Sequence, residues 1–161
     1  MSADPAVMEY FSGLLTREQS DALVDRVEAF FDSNGFGLWA VEVPGETPFA
    51  GFVGLNAPSF EASFTPCIEI GWRLARRFWG RGYVTEGALA ALEFGFTRLG
   101  LPEIVAFTVP ANLRSVAVMK RLGMTFAGEF DHPALPAGHR LQRHVLYRLK
   151  ADDRKRSSSL L

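Results

Sequence analysis

The sequence predicts a single α/β (α+β) domain, in which a mixed and mostly antiparallel sheet carries helices on both faces. The chain has 161 residues, which is enough for one domain and too few for two ordinary ones. Hydrophobic residues make up 48% of it, ample for a packed core. The central part alternates strand, glycine turn, long helix, strand, short helix and strand, an order typical of a sheet covered by helices.

The elements follow from local patterns in chain order. Residues 4–33 are predicted to be helical in two parts separated near Gly13, and Thr16 and Gln19 have the spacing of a capping box at the start of the second part. Apolar residues along one side of residues 83–99 predict a long helix that Gly100 ends. Alternation and β-branched or aromatic content predict strands at 37–43, 50–55, 67–74, 103–109, 124–130 and 141–149, with a short helix at 112–122.

We therefore place one domain at residues 1–150 and predict that the polar segment 151–161 is a disordered tail. The net charge of −1 argues against a general nucleic-acid binder. The longest apolar runs are far shorter than the ~20 residues of a membrane helix, and the N-terminus has no signal-peptide pattern. Cys67 is the only cysteine, which excludes an intrachain disulfide and a cysteine metal cluster. A cytoplasmic protein is the expectation.

A glycine turn is the strongest chemical signal in the sequence. The pattern Arg77-x-x-Gly80-x-Gly82 lies between a predicted strand and the long helix. Glycines allow a close approach of the backbone to a ligand, and the free N–H groups at the start of a helix attract anions. Arg76, Arg77 and Arg81 add positive charge. The turn is therefore predicted to bind a phosphate group.

Several interpretations of this turn compete. A Walker loop is excluded, since it needs Gly-Lys-Ser/Thr where Tyr83 follows Gly82. A dinucleotide fingerprint is a near match that ends in Thr85, and Glu103 follows about 20 residues on, but Glu103 would begin a strand rather than end one. A glycine-rich turn without a ligand also remains open. The third phosphate motif, R/Q-x-x-G-x-G/A, matches fully.

That third motif is the turn of the GNAT acetyltransferase superfamily, which this sequence resembles from about Ala3 to Lys150. The stretches 69–74 (EIGWRL) and 78–86 (FWGRGYVTE) resemble the Rim-type branch, which includes N-terminal acetyltransferases of ribosomal proteins. Asn112-x-x-Ser115 and the following VMKRLGM at 118–124 agree with it. Family members usually begin with a strand and part of a helix before the segment matching residues 3–5. We expect either a sheet that lacks this strand or a natural start upstream of Met1.

The resemblance implies which residues hold acetyl-CoA. Backbone groups of Trp72, Arg73 and Leu74 would pair with the pantetheine arm, and one N–H there would polarise the thioester carbonyl. Asn112 would hydrogen-bond the pantetheine near its thiol end. Met119 stands where many members have the tyrosine that protonates the leaving thiolate, so it cannot take that role. The segment around the pyrophosphate comprises Arg77, Phe78, Trp79, Gly80, Arg81, Gly82 and Tyr83, and Met119 completes the predicted cofactor set.

The resulting functional expectation is transfer of an acetyl group from acetyl-CoA to a primary amine, either a peptide N-terminus or a small molecule. Direct attack is favoured over a covalent intermediate because Cys67 lies outside both motifs. Ser115 is the candidate acid, although as the third residue of a short helix it has a purely structural alternative. Glu69 is the candidate base, although an ion pair with Arg73 or another neighbour would explain it equally. If Glu69 is the base, Glu69→Gln is expected to lower the rate most at low pH.

A second functional hypothesis is a degenerate domain that binds acyl-CoA or a peptide without turnover. Met119 and the missing first strand favour it, whereas the glycine turn and Ser115 favour the enzyme. His139 or His144 is a candidate for the lining of the acceptor pocket, and the spacing of the histidines matches no metal motif. We predict no metal site, no nucleic-acid partner and no membrane segment; a homodimer is compatible with the sequence.

Overall fold

The computed structural model describes residues 1–153 and contains a six-stranded sheet with helices packed around it. A short 3-10 helix at Arg76–Phe78 precedes the glycine turn. The helices are α1 (Arg17–Asn34), α2 (Tyr83–Thr97) and α3 (Leu113–Arg121), and the strands are β1 (Leu38–Val43), β2 (Thr47–Asn56), β3 (Glu69–Leu74), β4 (Glu103–Thr108), β5 (Thr125–Asp131) and β6 (Arg143–Lys150).

The sheet is mixed and mostly antiparallel, as the sequence predicts. Its strand order is β1-β2-β3-β4-β6-β5, and β3 with β4 is the parallel pair. These two strands are in register at Glu69 and Val105, near their amino-terminal ends, and Val105 N donates to Ile68 O at 2.9 Å. Because no further pairs follow, the two strands separate toward their carboxyl ends. Such a gap in a sheet is a common place for a ligand.

The two faces of β3 have different surroundings because successive side chains of a strand point to opposite sides. Ile70 and Leu74 are buried, and Ile70 belongs to a core that includes Leu92 of α2 and Met119 of α3. Each such fully buried aliphatic side chain contributes about 1.5–3 kcal/mol. The opposite face carries Glu69, Gly71 and Arg73. The core under α2 and α3 thus holds the strand in place, and the polar face remains available for a site.

The N-terminal segment differs from the prediction. Residues 1–15 form a series of turns, and the helix begins at Arg17; the prediction of a helix from residue 4 was therefore wrong. The Asp4 carboxylate accepts a hydrogen bond from Ala6 N at 2.9 Å, an Asx-type contact that competes with helix formation. Val7 and Met8 are buried, which fixes the segment against the body. The capping box of Thr16 and Gln19 is confirmed.

The remaining element boundaries agree within a few residues. Strand β2 begins three residues earlier than predicted, β3 begins at Glu69 rather than Cys67, and α2 ends at Thr97 rather than Leu99. Residues 151–153 are helical, and the rest of the predicted tail lies outside the described residues. None of the helices within residues 1–153 combines the length and apolarity that a bilayer-spanning segment needs.

Candidate active site

Two cavities lie along β3 and share part of their walls. The glycine-turn cavity, of about 960 Å³, is lined by the end of β3, the glycine turn and the first turns of α2 and α3. The sheet cavity, of about 480 Å³, is lined by the polar face of β3 and by side chains of neighbouring strands. Six residues line both cavities and form what we call the junction: Tyr10, Phe11, Trp72, Arg73, Asn112 and Ser115.

The glycine turn has the conformation that its sequence suggests. Gly80 and Gly82 have φ of +72° and +85°, in the left-handed region that favours glycine. A Cβ built on either one meets no heavy atom within 4 Å, so the space above the turn is open to a ligand. Gly82 is the N-cap of α2 and provides no side-chain hydrogen bond. The first N–H groups of α2 are therefore left for an anion.

Trp79 fixes this turn to the strand before it. Its indole Nε1 donates a hydrogen bond to the backbone oxygen of Leu74 at 2.9 Å. The Arg114 guanidinium lies 4.5 Å from the Trp79 ring centroid, and the neighbouring Phe78 is buried. Besides the junction residues, the members of the predicted cofactor set that line the glycine-turn cavity are Leu74, Phe78, Trp79, Gly80, Gly82 and Tyr83.

The arginines at the cavity are not the ones that the sequence suggested. Arg81 pairs with Glu46, with Nη1 at 2.8 Å from Oε2, and Arg77 lies over the Phe78 ring at 4.7 Å; neither side chain lines the glycine-turn cavity. Arg114 and Arg121 of α3 line it instead. Their spacing of seven residues places them on one face of α3, and this is the signal that could have identified them.

Ser115 and Asn112 have separate tasks at the start of α3. The Asn112 side chain accepts from Ser115 N at 3.3 Å and donates to Thr108 Oγ1 at 3.0 Å, so Asn112 caps the helix. The Ser115 hydroxyl takes no part in the cap and accepts a hydrogen bond from Trp72 Nε1 at 3.3 Å. Since the indole can only donate, the hydroxyl proton stays available at the junction.

Met119 lies away from the glycine-turn cavity. Its side chain is 2% exposed and belongs to the main core, where it lines the sheet cavity instead. Tyr83, by contrast, lines the glycine-turn cavity and has its ring 5.0 Å from the Arg81 guanidinium.

Glu69 lines the sheet cavity without an ionic partner. Among residues 1–153 its carboxylate has no ion pair, and the pairing with Arg73 that the sequence allowed is not formed. The two residues are four positions apart on one face of β3, or about 13 Å along an extended strand. Gly71 lies between them, and a Cβ built there meets nothing within 4 Å. Burial raises the pKa of Glu69 to about 8, because an apolar environment disfavours the charged form.

Arg73 is a half-buried cation at the junction. Its guanidinium lies 4.0 Å from the Phe11 ring centroid and 5.4 Å from that of Phe52. Within the described part of the chain, its Nε and Nη1 atoms are covered and have no hydrogen-bond acceptor. Burial lowers the pKa of this guanidinium.

Aromatic and histidine side chains form the far wall of the sheet cavity. Phe107, His132 and His144 line it, and the two histidine rings are 5.0 Å apart. Burial lowers the pKa of both histidines, which favours neutral rings. His144 is thus at the cavity, while His132 takes the place considered for His139. The described residues contain no group of three or more side chains suited to a metal ion.

Cys67 is a half-buried thiol that lines neither cavity. Burial, followed by the charge of Glu69, raises its pKa to about 11. At neutral pH it is a protonated thiol, whereas a nucleophilic cysteine must be a thiolate.

Comparison with known proteins agrees with this geometry. Residues 1–125 match the acetyltransferase (GNAT) domain family. The uncharacterized protein YkkB of Bacillus subtilis is 33% identical over 124 residues, which is 77% of this chain and 71% of that protein. The FsC-acetyl coenzyme A-N(2)-transacetylase of Aspergillus fumigatus is 36% identical over 110 residues, covering 62% of this chain and 45% of the enzyme.

Solved structures give the same result. A GNAT-family acetyltransferase from Bacillus anthracis superposes with a TM-score of 0.75 at 26% identity, and the match covers 94% of this chain and 85% of that one. The family match spans residues 1–125, which is most of the chain. The chain therefore belongs to the GNAT family of acetyltransferases, the class of enzyme that uses acetyl-CoA to acylate amines.

Proposed function

We propose that this protein transfers an acetyl group from acetyl-CoA to a primary amine by direct attack, as a member of the Rim-type branch of the family. The observation that carries the proposal is the junction. There, a cavity suited to a phosphorylated cosubstrate meets a cavity that contains an unpaired carboxyl group, and the Ser115 hydroxyl lines both.

The residues of the glycine-turn cavity fit coenzyme A. Its pyrophosphate requires N–H donors and room for close approach, and the uncapped start of α2 with the open space above Gly80 and Gly82 offers both. The backbone of Trp72, Arg73 and Leu74 would hold the pantetheine, and Asn112 would contact it near the thiol. The acetyl thioester would supply the acyl group at the junction. The Aspergillus relative, whose name includes acetyl coenzyme A, supports this cosubstrate.

Glu69 is the proposed base. Its carboxyl lies on the face of β3 that lines the sheet cavity, and its raised pKa of about 8 lies near the operating range that suits a general base. As the amine nitrogen forms a bond to the carbonyl carbon, the amine loses a proton, and Glu69 accepts it. An ion pair would have lowered this pKa and weakened the base, so the missing pair with Arg73 supports the role.

Ser115 is the proposed acid. When the bond between carbonyl carbon and sulfur breaks, the electron pair goes to sulfur, and the Ser115 hydroxyl donates a hydrogen bond to the developing thiolate. A thiol has an ordinary pKa of about 8.5, so the leaving sulfur needs little assistance. The hydrogen bond that Trp72 Nε1 donates to Ser115 Oγ at 3.3 Å orients the hydroxyl so that its proton points away from the indole. Met119 lies in the core and cannot donate a proton, so it is not an alternative acid.

Direct attack is the proposed route because the chain's single cysteine is unsuited to a covalent intermediate. The Cys67 thiol has a raised pKa of about 11 and is away from both cavities. A lone reduced cysteine also fits the cytoplasm, which we propose as the location of the enzyme.

The test is calorimetric titration with acetyl-CoA, followed by measurement of free CoA thiol over a panel of amines. Peptides with free N-termini, polyamines, amino acids and aminoglycosides would serve as acceptors, and a reaction without acceptor is the control. We expect saturable binding of acetyl-CoA and thiol release that depends on an acceptor. Binding without release on any amine would contradict the proposal and indicate a domain that binds without turnover.

A further inference from the structure

We infer that the acceptor carries a carboxylate in addition to its amine, and that Arg73 selects it by pairing with this carboxylate. The inference deepens the proposed function and rests on it. Arg73 is the charged residue of the junction, and its guanidinium has no role in the proposed proton transfers.

The Arg73 guanidinium is incompletely satisfied in this structure. Two of its nitrogen atoms, Nε and Nη1, are covered and have no acceptor within the described residues. A buried polar group without a partner is costly, and a buried charge is more so. The rings of Phe11 and Phe52 at 4.0 and 5.4 Å offset part of this cost, since a cation–π contact is worth about 0.5–2 kcal/mol. They supply no hydrogen-bond acceptor.

In the described part of the chain, no carboxylate forms an ion pair with Arg73. Glu69 is separated from Arg73 by Gly71 along the same face of β3, and no ion pair joins them. Glu9, from the segment that crosses the junction, pairs with Arg114 at 3.2 Å. The other groups around the sheet cavity that can ionise near neutral pH are His132 and His144, which are not anions. Among residues 1–153 none of these groups supplies an anion for Arg73, so a ligand is the expected source of that anion.

Arg73 lies close to the residues of the proposed chemistry. It lines both cavities and stands beside Trp72, whose indole orients the Ser115 hydroxyl. Glu69, at the other end of the same strand face, receives the amine proton. A guanidinium suits a carboxylate geometrically as well as electrically. An acceptor bound in the open space over Gly71 would thus direct its amine toward the Glu69 side chain and its carboxylate toward the Arg73 side chain.

The aromatic wall of the sheet cavity indicates what the rest of the acceptor is like. Phe52 and Phe107 line the cavity together with the rings of His132 and His144, and burial lowers the pKa of both histidines, which favours neutral rings. This wall suits an apolar group on the part of the acceptor that joins its amine to its carboxylate. The acceptor class is accordingly an amino acid with an apolar body.

The experiment compares acceptors that differ only at the carboxylate. One series is phenylalanine, phenylalaninamide and 2-phenylethylamine; the other is 5-aminopentanoate, 5-aminopentanamide and pentylamine, which separates the amine further from the carboxylate. Acetyl-CoA is the donor, and CoA release gives kcat/KM for each acceptor. The variants are Arg73→Gln and Arg73→Lys, and Arg26→Gln is the control, because Arg26 is an exposed arginine of α1.

In at least one series we expect the wild-type protein to prefer the carboxylate over the amide by at least ten-fold. Arg73→Gln should reduce this ratio to near one through KM of the acceptor, Arg73→Lys should retain part of it, and Arg26→Gln should leave it unchanged. KM for acetyl-CoA should change little, since the cosubstrate is held by backbone groups.

If the wild type turned over the carboxylate and the amide acceptors with equal kcat/KM, the inference would be overturned and the proposed function would stand. This test needs only the wild type, so it applies even if Arg73→Gln does not fold. An equal loss on all three acceptors in Arg73→Gln would likewise overturn it and assign Arg73 a structural role. No CoA release with any amine would instead count against the proposed function itself.

Discussion

The two cavities that meet at the junction are built in different ways. The glycine-turn cavity has a backbone-built part, which consists of two left-handed glycines and the free N–H groups at the uncapped start of α2, beside side chains such as those of Arg114 and Arg121. The sheet cavity is formed by side chains from β2, β3, β4, β6 and the segment before α1. Backbone recognition suits a cosubstrate shared by a whole family, whereas side-chain recognition can change from one member to the next. In the proposed function, the first cavity binds the donor and the second binds the acceptor.

The largest effect is expected in the backbone-built cavity. Gly82→Val forces a β-branched residue to φ near +85° and places its side chain in the open space where the pyrophosphate would lie. Acetyl-CoA at about 100 times its Kd should stabilise the wild type by about 2.7 kcal/mol, and the variant should lose most of the corresponding rise in Tm. Thermal melts with and without acetyl-CoA measure this.

Gly100→Val is the matched control for this change. Gly100 also has a left-handed φ, +64°, and open surroundings, but it lies outside both cavities. Its variant should lose intrinsic stability and keep the acetyl-CoA shift. An intact shift in a folded Gly82→Val protein would show that the turn does not hold the cosubstrate.

A smaller effect is expected at the junction. Ser115→Ala removes the hydroxyl that accepts from Trp72, and kcat should fall by about ten-fold or more because a proton donor is lost. The acetyl-CoA shift in Tm should persist, since Asn112 caps α3 through the backbone of residue 115. Ser115→Thr keeps a hydroxyl and should retain more of the rate. If Ser115→Ala had the kcat of the wild type, the hydroxyl would be part of the helix start and nothing more.

The difference between the cavities also explains which features the sequence could predict. The glycine turn and the cap at Asn112 lie within short segments, so local spacing was sufficient to place them. The position of Ser115 at the junction follows from that cap. The unpaired state of Glu69, by contrast, depends on the distance to Arg73 and on which strands lie beside β3. A sequence pattern contains no such register information.

The segment before α1 was mispredicted for a related reason. Its apolar residues suggested a helix, but Val7 and Met8 are buried against the rest of the domain, and the Asp4 carboxylate accepts a hydrogen bond from the N–H group of Ala6. Tertiary contacts thus override helical periodicity there. The same segment brings Phe11 over Arg73, a contact that no local motif could indicate.

Burial of Glu69 also reverses one expectation. From the sequence, Glu69→Gln was expected to lower the rate most at low pH, where neutral amine is scarce. With a pKa of about 8, the wild-type carboxyl is protonated at low pH and cannot accept a proton there. The substitution should therefore cost little at pH 6 and increasingly more as the pH passes 8.

The central claim is that Glu69, in the sheet cavity, accepts the proton of an amine that attacks acetyl-CoA bound in the glycine-turn cavity. It is tested most directly by kcat/KM against pH for the wild type and Glu69→Gln, with two amines whose own pKa values differ. Besides the rise that follows the pKa of each amine, we predict in the wild type a second ascending limb near pH 8, at the same position for both amines, that disappears in the variant. A limb that moves with the pKa of the amine and is unchanged by Glu69→Gln would contradict the account.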